Sequence, residues 1–363
     1  MFRDEIDPLT KYERPPVQCY HGGQSFRYCP NFKCDFSVTT NVSGPPASAI
    51  KAAKEQFIDI EHYPDQDAWV PRCHFADYIG FHPNQIRLGN GASEFIDLIS
   101  RIFKPGTTWR PYPSQVLYLE FERAFTNAGL LKTESSNANA EITVIVNPNS
   151  TTGDYIEIDE LRKIIAADSK STFVIDESFI MSYGPDWIKQ SAMQLIQEFG
   201  DRVMVLTSWT KVWACPLLRL GTLVSSEKMI ERIAEIQAPW TVNGFAQSFF
   251  IAALQEKDYF KEMWETTPLW NAEMRKLFKE IGCKPNENSP IWVPYVYVDM
   301  LTQEIATKAH RLAFDAGLPI RLCDDFHQPA KVRLGVRELK YVHMLFDIYK
   351  NDKELMEMIK QAQ

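Results

Sequence analysis

No run of apolar residues in this chain approaches the roughly 20 needed to cross a bilayer. The opening Met1-Phe2-Arg3-Asp4-Glu5 also lacks the pattern of a secretory signal, so a cytosolic, membrane-free setting is expected. The seven cysteines are odd in number and contain no Cys-x-x-Cys repeat, which excludes a complete intrachain disulfide framework and makes reduced thiols the default. Cys19, Cys29 and Cys34 lie close together without a partner histidine, and His62, His74 and His82 lack the spacing of a zinc-binding helix. No metal is therefore expected. A basic stripe is missing too: 39 Lys and Arg stand against 47 Asp and Glu, a net charge of −8, which disfavours a nucleic-acid surface. A small anion bound here requires a local arginine cluster to overcome that field. Internal repeats and low-complexity segments are absent.

What is present is an enzyme-sized globular chain. Its 363 residues are 45% hydrophobic and 24% charged, enough for a large α/β core with a smaller second domain. Residues 1–45, with Pro15-Pro16 and His21-Gly22-Gly23 as breakers, read as an extended arm that must pack on something. Residues 46–245 alternate strand-like runs with amphipathic stretches, the rhythm of a largely parallel sheet flanked by helices. The clearest strands are Thr143 to Val146, Thr172 to Ile175, Val203 to Thr207 and Gly221 to Val224. Helical spacing marks Ser93 to Phe103, Ile158 to Ala167 and Ser191 to Phe199. Residues 246–363 read as a smaller α+β domain, with a strand at Val293 to Asp299, a helix at Gln303 to Ala316 and a final helix past Tyr341.

In an open parallel sheet, ligands sit beyond the carboxyl ends of the strands, and there the polar residues fall. Asn147-Pro148-Asn149 ends one strand, Asp176-Glu177-Ser178 the next, and Ser208-Trp209-Thr210-Lys211 the third. An amide, a carboxylate and an amine are thereby delivered to one edge. Lys211 can condense with an aldehyde cofactor and then serve as a proton-transfer base, if burial and a neighbouring cation lower its pKa. Asp176 emerges from Phe173-Val174-Ile175, where an ionised carboxylate calls for a cation such as a pyridinium nitrogen. Gly89-Asn90-Gly91-Ala92-Ser93-Glu94 precedes an apolar helix whose first amides can bind a phosphate. Ser208 and Arg219 add donors on other sides of the same anion.

These motifs together resemble the fold-type-I, pyridoxal-phosphate-dependent aminotransferase superfamily, nearest its threonine-phosphate decarboxylase and histidinol-phosphate aminotransferase branches. The similarity covers nearly the full length: His21-Gly22-Gly23, Glu61-His62-Tyr63-Pro64-Asp65, Gly89-Asn90-Gly91, Asp176-Glu177-Ser178-Phe179, Ser208-Trp209-Thr210-Lys211, Arg219-Leu220-Gly221 and Pro239-Trp240-Thr241-Val242-Asn243 follow the family order. The resemblance implies a three-layer α/β/α large domain, a pyridoxal 5'-phosphate cofactor, and a homodimer whose shared sites receive Tyr63 from the partner. It also implies that Gly91, Ala92, Ser208 and Arg219 hold the cofactor phosphate. The His-Gly-Gly arm, and Phe179 where aminotransferases usually carry a tyrosine, favour the decarboxylase branch.

The departures concern the ring. Ser150 stands in Asn149-Ser150-Thr151-Thr152-Gly153 where the family has the asparagine that bonds the ring oxygen, so either Asn149 or Ser150 fills that role. Gln115 occupies the place of the aromatic that stacks on the ring, with Tyr112 and Tyr118 as substitutes nearby. Arg333 matches the superfamily arginine that grips a substrate anion. If it holds the α-carboxylate in the ring plane, transamination follows. If Arg333 and Arg321 grip a side-chain phosphate, assisted by His21 and Gly22 of the arm, the carboxylate can be lost as carbon dioxide. The expected activity is decarboxylation of an O-phospho or otherwise anionic L-amino acid, with an aminotransferase and a specialised lyase or cyclase as alternatives.

Overall fold

A computed structural model describes residues 22–363 of the chain. The main sheet has seven strands, β1 (Ile86–Asn90), β2 (Thr108–Tyr112), β3 (Leu131–Lys132), β4 (Ile142–Val146), β5 (Thr172–Asp176), β6 (Val203–Ser208) and β7 (Leu220–Val224). Their spatial order is β1-β7-β6-β5-β4-β2-β3. β7 runs antiparallel to both β1 and β6, and the remaining pairs are parallel. The sheet is thus mostly parallel, as the continuous apolar runs of β4, β5 and β6 require of strands covered on both faces.

The period of two along each strand divides the core into two layers. Ile145, Phe173, Ile175, Val203 and Val205 point to one side, where they pack with Phe75, Leu161, Ile165, Trp209 and Phe250. Val144, Val146, Val174, Met204 and Leu206 point to the other, against Phe95, Ile99, Phe121 and Ile230. Each layer is closed by helices whose buried stripes match: Phe95, Ile96, Leu98 and Ile99 on Ala92–Arg101, and Leu161 and Ile165 on Ile158–Ala167. The result is a three-layer α/β/α arrangement.

One segment departs from its helical spacing. Residues 191–199 form a 3₁₀ turn, Ala192–Leu195, followed by a single helical turn, Ile196–Phe199. The cause is Glu177: its buried carboxylate accepts the Ala192 N–H over 2.7 Å and the Ser191 hydroxyl. The start of the segment is therefore held by a side chain from the end of β5.

A second sheet is formed by β8 (Lys284–Pro285), β9 (Tyr295–Asp299), β10 (Arg321–Leu322) and β11 (Lys331–Gly335), in the order β10-β11-β9-β8. The described chain forms two compact units. The larger comprises Thr39–Glu273 and Asn286–Val296; the smaller comprises residues up to Val38, Met274–Pro285 and Tyr297–Gln363. In the smaller unit, Thr302 caps the helix Gln303–Asp315 and Asp352 caps Lys353–Ala362. The described part of the arm is tied down there by Lys33 N–H to Gly317 O (2.8 Å) and Gly335 N–H to Phe36 O (2.8 Å). The Arg337 guanidinium adds bonds to Asp35 O and Val38 O. No helix among the described residues is long and apolar enough to cross a membrane.

Candidate active site

Asp176 is the last residue of β5 and is 5% exposed. Its Oδ1 accepts the Ser178 hydroxyl (2.6 Å) and the Ser178 N–H (3.0 Å). Burial pushes its pKa above the usual carboxylate range, while those two bonds and the Lys211 charge pull it down. Lys211 therefore lies close enough to Asp176 to favour its ionised form. The Ser178 hydroxyl also accepts the Ser208 N–H over 2.9 Å, which joins the ends of β5 and β6 through one side chain.

Lys211 sits in a four-residue helix, Trp209–Val212, directly after β6. Trp209, Thr210 and Val212 are buried and Lys211 is half-buried, so the amine is the one side chain of the turn that reaches outward. Trp209 stacks on Trp213 at 4.5 Å, and its indole N–H donates to Thr222 Oγ1 on β7 over 3.0 Å. The backbone is clamped from elsewhere: Asn41 N–H donates to Lys211 O (2.8 Å) and the Asn41 amide to Val212 O (3.0 Å). Tyr259 accepts from the same amide and donates to Gly44 O.

An anion cradle lies at the end of β1. Within Gly89–Glu94, the Asn90 N–H goes to the Glu94 carboxylate, Gly91 N–H to Gly89 O and Glu94 N–H to Gly91 O. The Ala92 and Ser93 N–H groups open the helix without intrahelical acceptors. Arg219 lies across them, with Nη2 3.2 Å from Ser93 Oγ. A Cβ on Gly91 would come within 2.2 Å of that Nη2, and one on Gly221 within 2.3 Å of Ala92 N. Gly89 and Ser208 both stand opposite Gly221 in the sheet register. The Ser208 and Thr210 hydroxyls, 2.8 Å apart, complete the donor set.

Other expected contacts fall differently. The Asn149 amide donates to Val116 O (2.7 Å) and its Oδ1 accepts the Thr151 and Thr152 N–H groups. Its side chain thus folds its own loop, which leaves Ser150, half-buried beside it, as the candidate for a ring oxygen. Phe179 is buried edge-on against Tyr295 at 5.0 Å, with no polar atom to offer. Gln115 is exposed and donates to Glu134 over 2.9 Å, so its amide is engaged by a surface carboxylate. Tyr118 is half-buried against the core layer around Phe121. Tyr63 is 81% exposed and lies against Trp240 in a tilted ring contact, with centroids 4.8 Å apart. His21 lies outside the described residues, and Gly22 is so close to Ser37 that a Cβ would meet its carbonyl oxygen at 2.6 Å.

In the smaller unit, Arg321 on β10 and Arg333 on β11 stand directly opposite each other. Opposite residues of an antiparallel pair share a face, with Cβ atoms roughly 5 Å apart, and like charges so placed repel. Arg321 is buried and paired with Asp325, Nη2 to Oδ2 at 2.6 Å, over the Phe326 ring. Arg333 is half-buried.

Some contributors had no sequence signal. Asn41 and Tyr259 hold the Lys211 turn from positions far away in the chain, and Glu94 links Asn90 to Thr241 (2.7 Å) and Gln237 (3.4 Å). No group of three or more His, Cys, Asp or Glu among the described residues is placed to hold a metal ion.

Residues 33–336 match the model of the aminotransferase class I and II family. The chain belongs to that family. It is 32% identical over 276 residues to a protein of Caldanaerobacter subterraneus subsp. tengcongensis named as a threonine-phosphate decarboxylase, covering 71% of this chain and 72% of the relative. It is 26% identical over 324 residues to an L-serine phosphate decarboxylase of Campylobacter jejuni, covering 81% and 82%. In fold it is similar to the histidinol-phosphate aminotransferase of Sinorhizobium meliloti in complex with pyridoxal 5'-phosphate, with a TM-score of 0.78, 18% identity, and 92% of each chain covered.

The aminotransferase class I and II family depends on pyridoxal phosphate, and the residues present fit that cofactor. The glycine cradle under Arg219 has room only for an uncovered backbone, and its surroundings are hydrogen-bond donors suited to a phosphate. A buried carboxylate within reach of a lysine amine suits a cationic ring nitrogen.

Proposed function

We propose that this family member acts at the α-carbon of an anionic L-amino acid, and that its reaction is decarboxylation of an O-phospho-L-amino acid. The observation that carries this reading is the pairing of Arg321 with Arg333 across two strands. Two arginines placed opposite each other on neighbouring strands suit a doubly charged anion such as a phosphate, which each can hold by charge-assisted hydrogen bonds. The names of the two decarboxylase relatives support the same substrate class.

In this reading the Ala92 and Ser93 N–H groups, the Ser208 and Thr210 hydroxyls and Arg219 bind the cofactor phosphate. Asp176, oriented by Ser178, keeps a proton on the ring nitrogen. Bound pyridoxal phosphate supplies an aldehyde and a ring that stabilises negative charge at the substrate α-carbon. Lys211 would hold the cofactor through its amine and, once substrate is bound, would serve as the proton-transfer group at that carbon. Ser150 would donate to the ring oxygen, and Phe179 would add no hydrogen bond there. Arg321 and Arg333 would hold the side-chain phosphate of the substrate, leaving its α-carboxylate as the group lost as carbon dioxide.

An aminotransferase reaction is the second reading, and the Arg321–Asp325 ion pair supports it. With Arg321 engaged by Asp325, Arg333 would hold the α-carboxylate of the substrate and Lys211 would take the α-proton. Incubation with phosphothreonine, phosphoserine and histidinol phosphate separates the two. Carbon dioxide without a 2-oxo acid supports decarboxylation; a 2-oxo acid with stoichiometric conversion of the cofactor to its amine form supports transamination. Neither product from any of them overturns both.

The reading includes a homodimer. Phe57, Ile58, Ile60, Tyr63 and Trp240 are exposed apolar or aromatic side chains of the larger unit, an arrangement suited to a second copy of the chain. Tyr63 would then reach the partner's cofactor phosphate. Light scattering at micromolar protein tests the assembly, and a monomer that retains full activity overturns it.

A further inference from the structure

The loop that carries Ser150 is shaped from within and placed from outside. Its shape comes from Asn149, whose Oδ1 accepts the Thr151 and Thr152 N–H groups, each over 3.0 Å, and whose backbone oxygen accepts the Gly153 N–H over 2.8 Å. Its placement comes from residues 286–296, far along the chain but part of the same larger unit. The Tyr295 hydroxyl donates to Asn149 O over 2.6 Å. The Asn286 amide donates to Thr152 O and to Asp154 Oδ1, each over 2.8 Å. Ser289 lies so close to Gly153 that a Cβ there would come within 2.3 Å of its hydroxyl oxygen. The segment is itself held: the buried Asn271 amide donates to Val293 O (2.7 Å) and Tyr295 O (3.2 Å). Tyr295, Val293 and Phe179 form a small buried cluster of their own, in which the Tyr295 ring meets Phe179 edge-on at 5.0 Å. One side chain thus touches Asn149 by its hydroxyl and Phe179 by its ring.

We propose that Tyr295 and Asn286 are positioning residues, a clamp that fixes where the Ser150 loop stands and thereby how Ser150 meets the ring oxygen of the cofactor. This rests on the reading that Ser150 is the donor to that oxygen. Phe179 has no polar group to share the task, so a displacement of the loop is not masked from that side. Hydrogen bonds hold over a narrow range of distance and angle. Release of either anchor therefore weakens the contact even though the loop's internal turn survives.

The test reads the absorbance of the holoenzyme against pH. A hydroxyl that donates to a negatively charged oxygen favours the form in which that oxygen carries most charge, so a weakened contact moves the absorbance midpoint to higher pH. Tyr295→Phe keeps the ring against Phe179 and removes the hydroxyl, while Asn149 O retains the Gly153 N–H. The midpoint should rise by about one pH unit, the scale of one hydrogen bond, and Ser150→Ala should raise it similarly. The double variant should rise no further than Ser150→Ala alone, the coupling expected of two residues that act through one contact. Melting curves of the apoprotein verify folding, and Asn286→Ala, which releases the other end of the loop, takes the place of Tyr295→Phe if the latter does not fold. An unmoved midpoint in the clamp variant beside a raised one in Ser150→Ala overturns the proposal. So does a shift that adds in full to that of Ser150→Ala, which marks a route independent of the loop. If Ser150→Ala itself leaves the midpoint in place, the underlying reading of Ser150 fails, and the clamp's role with it.

Discussion

The Ser178 hydroxyl donates to Asp176 Oδ1 over 2.6 Å while accepting the Ser208 N–H over 2.9 Å. One small side chain thus fixes the carboxylate at the end of β5 and the start of the turn that presents Lys211.

Ser178→Ala removes both contacts. The hydroxyl is among the causes that pull the Asp176 pKa down against burial, so its loss moves that pKa further up. The acid limb of cofactor binding, followed by absorbance, should shift to higher pH, and stability should fall by about 1–3 kcal/mol for a buried group left unmatched. An unmoved acid limb would show that Ser178 does not govern Asp176.

Asp176→Ala is expected to lower kcat by at least about a hundredfold while some cofactor remains bound, because the phosphate cradle is untouched and only the partner of the ring nitrogen is lost. Steady-state kinetics on reconstituted protein provide the check. Near-normal turnover would refute the role of Asp176.

Gly91→Ala places a methyl group 2.2 Å from Arg219 Nη2 at a residue with φ of +79°. Both the clash and the left-handed backbone oppose it, at a cost of about 1–3 kcal/mol. Cofactor affinity should drop by about tenfold or more, measured by equilibrium dialysis of apoenzyme with pyridoxal phosphate. Unaltered affinity would place the phosphate elsewhere.

Glu177 is fully buried, and burial raises its pKa from 4.5 to about 8, against the opposing bonds from Ala192 N–H and Ser191. A carboxyl whose folded-state pKa is raised contributes stability that is complete below about pH 4.5 and is lost as pH rises toward 8. Tm should therefore decline across that interval. Glu177→Gln, which cannot ionise, should flatten the decline. A variant with the same pH slope as the parent would show that Glu177 does not control it.

Much of the larger unit was legible from local pattern. The apolar runs of β4, β5, β6 and β7 lie within a residue of their expected bounds, and the helix Ile158–Ala167 coincides with its spacing. A strand buried on both faces must be continuously apolar, so the first polar residue marks its end. Asp176 and Ser208 stand at those ends and are joined through Ser178. The segment after Ser191 was less legible, because Glu177 takes up the N–H of Ala192.

Chain order and residue chemistry by themselves determined the family, the mostly parallel sheet, and the candidate amine, carboxylate and anion cradle, since each depends on a strand end or a helix start that neighbouring residues specify. Only the tertiary structure decided which polar groups are already engaged. Asn149 folds its own loop, Gln115 turns to Glu134, Arg321 pairs with Asp325, and Asn41 clamps Lys211 from a distant part of the chain. Hydrogen bonds and ion pairs are satisfied by whatever lies within about 3 Å in space, and that proximity is created by packing, which no local periodicity encodes.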